Sequence, residues 1–226
     1  IRIDSDLGDI CKENQTLYTR RYINMKILVT GFDPFGSESV NPAYEAVKLL
    51  PDVIAGAQLI KLEIPTVFKK SIQVVKDAVK THQPDMVINV GQAGGRACVS
   101  VEKVAINLAE ARIPDNAGDE PHDELLEADG PAAYFSTLPV TKMVQNVKAH
   151  DLPCEISYSA GTYVCNSIMY RVLYLASKEY PNMKAGFIHV PYSCEQAAKK
   201  NGYVASMPLE TIAKSLEYAI AAAVKG

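Results

Sequence analysis

The sequence predicts a three-layer α/β/α domain built on a central, mostly parallel twisted sheet. Three observations predict it. Short β-rich runs alternate with amphipathic helical stretches along the chain. Several of those runs are apolar throughout, as strands covered on both faces require. A length of 226 residues with 48% hydrophobic content fits one such domain more readily than two small ones.

"KILVTGF" (Lys26–Phe32) is a buried strand closed by a glycine-containing loop. "NPAYEAVKLL" (Asn41–Leu50) is a helix with Asn41 as N-cap and Pro42 at its first position. "AQLIKLEIP" reads as the next strand. In "VFKKSIQVVKDAVKTH" the apolar residues Val67, Phe68, Ile72, Val75 and Val79 recur at helical spacing. "PDMVINVGQAGGR" is an apolar strand running into a glycine-rich turn. "SVEKVAINLAEA" fits a strand or a helix, and its periodicity does not choose. Arg112 to Gly130 is acidic and rich in Pro, Gly and Asp, hence a long loop. "TKMVQNVKAH" is a helix, "CEISYSA" a strand and "CNSIMYRVLYLASKEY" a long helix. "MKAGFIHVPY" is the last strand, and "PLETIAKSLEYAIAAAVKG" closes the chain as a helix.

The composition excludes several classes. A net charge of −3 with scattered Lys and Arg argues against nucleic-acid binding. No apolar run reaches membrane-spanning length. The five cysteines are irregularly spaced without a CxxC, which suggests reduced cytosolic thiols, and the four histidines show no ligand spacing, so no metal is expected. Residues 1–24 lack an apolar signal centre and precede "MKILVTGF". They are expected to be an added leader or over-extended start, disordered, with the catalytic domain spanning 25–226.

In doubly covered sheets, ligands bind beyond the carboxyl ends of the strands. "TGFDPFG", "VGQAGGR", "SAGTYVCN" and "FIHVPY" are expected to meet on one such rim. Cys165 opens a helix, where the unpaired N–H groups and the dipole favour a thiolate, and where its own N–H can face a developing oxyanion. The plain alternative is a small buried hydrophobe. His189 ends an apolar strand and can serve as general base to that thiol, or simply pack in the core. His82, His122 and His150 are weaker candidates. Glu102, Asp115 and Asp33 are rival carboxylates for orienting the imidazole. "VGQAGGR" lacks the spacing of a nucleotide loop and reads as a turn whose backbone approaches a ligand.

Taken in order, "TGFDPFG", "NP", "VGQAGGR", "EKVAINLAEARIPDN", "SAGTYVCN" and "GFIHVPY" resemble the pyroglutamyl-peptidase I family of cysteine peptidases, from Met25 almost to the C-terminus. The resemblance implies a phosphorylase/hydrolase-like fold. It implies a cytoplasmic homotetramer without metal or cofactor that removes an N-terminal pyroglutamyl residue from peptides. It assigns Cys165 as nucleophile, His189 as base and Glu102 as its orienting carboxylate. It puts Arg112 with the Cys165 amide at the oxyanion. Phe32 and Phe35 sandwich the lactam ring, the Gln92 backbone meets its amide, and Asn41, Thr66, Tyr163 and Val164 line the pocket. Tyr163 stands where relatives often carry phenylalanine. The rival readings are a phosphorylase-like transferase and a non-catalytic module that binds 5-oxoproline or peptide.

Overall fold

The computed structural model describes residues 25–36 and 38–226. The expected leader, residues 1–24 with Cys11, lies outside the described residues. The strands are β1 (Lys26–Phe32), β2 (Val53–Ile54), β3 (Ala57–Ile64), β4 (Met86–Gln92), β5 (Val99–Glu102), β6 (Val104–Ile106), β7 (Ala133–Phe135), β8 (Cys154–Ser157), β9 (Lys184–Val190), β10 (Tyr192–Ser193) and β11 (Ser206–Met207). The helices are α1 (Pro42–Leu49), α2 (Phe68–His82), α3 (Val140–Lys148), α4 (Val164–Glu179), α5 (Cys194–Ala197) and α6 (Leu209–Lys225).

Seven strands form the main sheet in the order β2-β3-β1-β4-β9-β5-β8. The strands predicted from the sequence supply its centre: β3, β1, β4 and β9 lie parallel. Successive residues of β1 enter opposite layers. Ile27 and Val29 pack with Val47, Met143, Leu216 and Ile220 of α1, α3 and α6. Leu28 and Phe32 pack with Val75, Ile168 and Val172 of α2 and α4. The strand period of two thus explains why runs without polar alternation form strands: both faces are covered. The expected mostly parallel α/β/α architecture is the one observed.

Local chemistry fixes the helix starts. Asn41 accepts from the Ala43 N–H at 3.1 Å and Pro42 occupies the first helical position. The start of α2 has no side-chain cap of its own. Instead Asp115, from the long loop, accepts from the Phe68 N–H at 2.9 Å.

One open choice closes and one expectation changes. "SVEKVAINLAEA" is extended, as β5 and β6. β5 also reverses direction against β9, pairing Ser100 with His189 and Val101 with Ile188, and β8 runs parallel to β5. The carboxyl end of β8 therefore points away from the rim formed by β1, β4 and β9. Three of the four segments reach that rim by topology. The fourth is carried back to it by residues 158–163, a turn that includes Gly161 at φ +77°.

Candidate active site

Cys165 is the second residue of α4, whose N-cap Tyr163 makes no capping side-chain hydrogen bond. Its sulfur packs on Gly91 of β4. A Cβ placed on Gly91 would lie 2.9 Å from Cys165 Sγ and 2.6 Å from Phe187 Cζ, so only glycine allows this approach. Gly91 is the register partner of His189 in β9. Phe187, two residues earlier, shares the face of His189, with ring centroids 4.7 Å apart. Sulfur and imidazole therefore lie on the same face of neighbouring strands.

Of the rival carboxylates, Glu102 is the one beside the imidazole: His189 Nδ1 and Glu102 Oε1 are 2.6 Å apart. Asp115 is occupied with the N–H groups of Phe68, Ala117 and Asp119. Asp33 accepts from the Thr66 N–H and from Asn116. Burial of Glu102 favours its neutral form, but the hydrogen bond and charge of His189, the Ser157 side chain and the charge of Arg96 hold it below the ordinary value of 4.5. An ionised carboxylate only accepts, so Nδ1 carries the proton and Nε2 is left as a lone-pair acceptor. Burial pushes His189 below 6.5 despite Glu102. At neutral pH the ring is an uncharged base.

The sulfur departs from expectation. Burial, reinforced by the negative charge of Glu102 and opposed by Arg96, pushes the Cys165 thiol up from 9.0 to about 12. Such a rise corresponds to ~4 kcal/mol against the anion. A helix start returns roughly 0.3–2 kcal/mol. Desolvation opposes the thiolate that the helix start favours, although by its accessible surface Cys165 is only half-buried.

The remaining candidates divide. Tyr163 donates to the Pro114 carbonyl at 3.0 Å and meets Phe68 edge-on at 5.2 Å. Val164 is wholly buried. Asn41 and Thr66 are buried and both bond the Asp33 carbonyl, which shapes the loop after β1. Phe32 lies in the core, 6.5 Å from the Phe187 ring, whereas Phe35 is half-buried in that loop. Gln92 ends β4 and accepts from Gln196 Nε2 at 3.0 Å. Arg112 is exposed and makes no hydrogen bond or ion pair among the described residues. Its loop nevertheless grips the approach to Cys165, through Glu110 N–H to the Thr162 carbonyl at 3.0 Å and Thr162 Oγ1 to the Glu110 carbonyl at 2.8 Å. His82 and His122 are exposed at the end of α2 and in the long loop, and His150 stacks on Tyr218. All three stand apart from the cluster.

The family model for pyroglutamyl peptidases, Peptidase_C15, matches residues 25–226. The chain belongs to the pyroglutamyl peptidase family. Among family members, it is 61% identical over 201 residues to the pyrrolidone-carboxylate peptidase of Enterococcus faecalis, covering 89% of this chain and 94% of that one. The corresponding peptidase of Finegoldia magna is 53% identical over 200 residues, covering 88% and 93%. The crystal structure of pyroglutamyl peptidase I from Bacillus amyloliquefaciens superposes with a TM-score of 0.86 at 46% identity, covering 89% of this chain and 98% of that one. A mutant pyrrolidone carboxyl peptidase from the hyperthermophile Pyrococcus furiosus gives 0.86 at 40% identity, covering 89% and 99%. These matches support neither the transferase nor the non-catalytic module.

Within this family frame, sequence reasoning passed over Arg96, Gly91 and Gln196. Arg96 donates to Glu102 Oε1 at 2.8 Å. Its signal was an arginine closing a glycine turn six residues before a carboxylate. Gly91 carried no sign of the sulfur that rests on it, because that contact joins residues 74 positions apart. Gln196 ties Gln92 to the Val40 carbonyl and to Glu38, again over long separations. Among the described residues no group of His, Cys, Asp and Glu could hold a metal, and no helix is long and apolar enough to cross a membrane.

Proposed function

We propose that this chain hydrolyses the amide bond after an N-terminal pyroglutamyl residue, through a thioester on Cys165. The observation that carries the reading is the Glu102–His189 pair at 2.6 Å beside Gly91, on which Cys165 Sγ rests. His189 Nε2 takes the thiol proton as sulfur attacks the pyroglutamyl carbonyl. The charge separation that burial opposes at rest is thereby confined to the attack itself. The negative oxygen that develops is met by the Cys165 N–H at the uncapped start of α4, and the family resemblance assigns Arg112 to the same oxygen. The protonated His189 then gives its proton to the departing amine. Water activated by the same imidazole hydrolyses the thioester and releases free pyroglutamate.

The lactam is a flat, uncharged ring with one N–H and one C=O on its edge. Phe32 and Phe35 supply aromatic surface, with Asn41, Thr66, Tyr163 and Val164 as further lining. The ladder from β1 to β4 ends at Val90, while Gln92 still pairs with Val190 of β9. One edge of the Gln92 backbone is therefore left for a ligand amide to complete. A cytoplasmic homotetramer is the assembly we infer from the family resemblance, and sedimentation of the purified chain measures it.

The decisive experiment is release of free pyroglutamate from a blocked peptide. Cys165→Ser should lower turnover by at least about 10³-fold with unchanged thermal unfolding. Near-full activity in that variant, or in protein alkylated at Cys165, overturns the reading.

A further inference from the structure

Arg96 has no role in the reaction as described so far, yet it is joined to both of its halves. Nη1 donates to Glu102 Oε1 at 2.8 Å, the same oxygen that His189 Nδ1 approaches at 2.6 Å. Nη2 donates to the Ser159 carbonyl at 3.2 Å, in the segment that carries the chain back from β8 to Cys165. Glu102 has no exposed surface, and its Oε2 finds no donor among the described residues. Arg96 and the catalytic imidazole therefore both hold Oε1 of a fully buried carboxylate, with the Ser157 side chain also favouring its ionised form.

We infer that Arg96 is a positioning residue for this hydrolysis: its forked guanidinium holds the Glu102 carboxylate against His189 and fixes the segment that delivers Cys165. The inference rests on the reading of Cys165 and His189 given above. A buried carboxylate that loses one of two charge-assisted bonds takes up a proton far more readily than one that keeps both. Once protonated, Glu102 no longer requires Nδ1 to carry the proton, and the tautomer that leaves Nε2 free is no longer enforced. The charged and titratable groups facing His189 are Glu102, Arg96 and, across Gly91, Cys165. Burial most strongly disfavours the imidazolium, Glu102 favours it, and Arg96 disfavours it. Loss of Arg96 should therefore move the appearance of the neutral base to higher pH. Lysine keeps the charge but cannot reproduce the fork, so it should separate the two effects.

The test measures kcat and KM on a chromogenic pyroglutamyl amide from about pH 5 to 9. It compares wild type, Arg96→Gln and Arg96→Lys, with Cys165→Ser as the blank and thermal unfolding alongside. Arg96→Gln should lose about 10- to 100-fold in kcat with KM little changed. Its acid limb should move to higher pH, and methylguanidinium should restore part of the rate, since the native side chain is 28% exposed. Arg96→Lys should keep the acid limb near its wild-type position at reduced kcat. Wild-type kcat and an unmoved limb in Arg96→Gln overturn the inference. So does a loss that follows thermal stability alone. If Arg96→Gln does not fold, Arg96→Lys decides, and wild-type kcat in that variant removes the positioning role. An inactive wild type refutes the underlying reaction, whereas an active wild type indistinguishable from Arg96→Gln removes Arg96 alone.

Discussion

The two parts of the main sheet differ in direction and in chemistry. The parallel strands β1, β4 and β9 are buried on both faces, with β3 alongside them, and present His189 and Gly91 near one rim. The reversed pair β5 and β8 contributes charge: Glu102 ends β5, and the turn before β5 supplies Arg96. The acid–base pair forms where the two parts meet, across the antiparallel β9–β5 seam. The lesson is that a parallel sheet supplies position, whereas a local reversal brings in a buried carboxylate that a purely parallel neighbour would have carried to the exposed rim.

That contrast can be broken from either side. The largest effect should come from the reversed part, where Glu102→Gln removes the charge but keeps the shape. It should lower kcat by about 10²–10⁴-fold. Retention of activity within a few-fold in steady-state assays would place the orientation of His189 elsewhere. From the parallel part, Gly91→Ala puts a carbon 2.9 Å from Cys165 Sγ and 2.6 Å from Phe187 Cζ. The displaced sulfur should cost about 10²-fold in kcat, and overpacking about 1–3 kcal/mol in urea unfolding. An unimpaired Gly91→Ala would show that the sulfur tolerates movement.

A smaller effect concerns pH. His189 is held below 6.5 and Glu102 below 4.5 in the folded chain. In each case the unfolded state binds the proton first as pH falls. The stability these groups contribute is present above 6.5 and 4.5 respectively, and is lost as pH drops through their folded values. Urea midpoints should therefore decrease on acidification below 6.5. His189→Gln should flatten the first part of that decline, and a profile unchanged in that variant would assign the effect to other groups. The smallest effect belongs to Tyr163→Phe, which loses the bond to the Pro114 carbonyl. About 1 kcal/mol of stability should go, with kcat within about twofold because Tyr163 reaches no atom of the acid–base pair. A large fall in kcat would give the hydroxyl a part in the reaction.

Much of this was legible in the chain itself. The continuous apolar runs of β1, β4 and β9, and the Asn41–Pro42 start of α1, are local signals that survive folding unchanged. Cys165 and His189 stood out as polar residues at the ends of regular elements, and resemblance chose Glu102 over Asp115 and Asp33. What could not be read was non-local. The reversal of β5 depends on pairing with β9, almost ninety positions away. The raised proton affinity of Cys165 depends on what covers it, and a helix start taken alone argues for the opposite shift. Arg96 and Gly91 are written as parts of a turn and a strand, and become meaningful only when Glu102 and Cys165 arrive from elsewhere.

The raised proton affinity of the half-buried Cys165 sulfur has a consequence for the protein's survival. Peroxides and disulfides react with thiolates far faster than with thiols. A side chain that ionises only while a substrate carbonyl is in front of it is chemically quiet between turnovers. Peroxide should therefore inactivate the resting protein slowly, which loss of activity followed over time in peroxide without substrate measures.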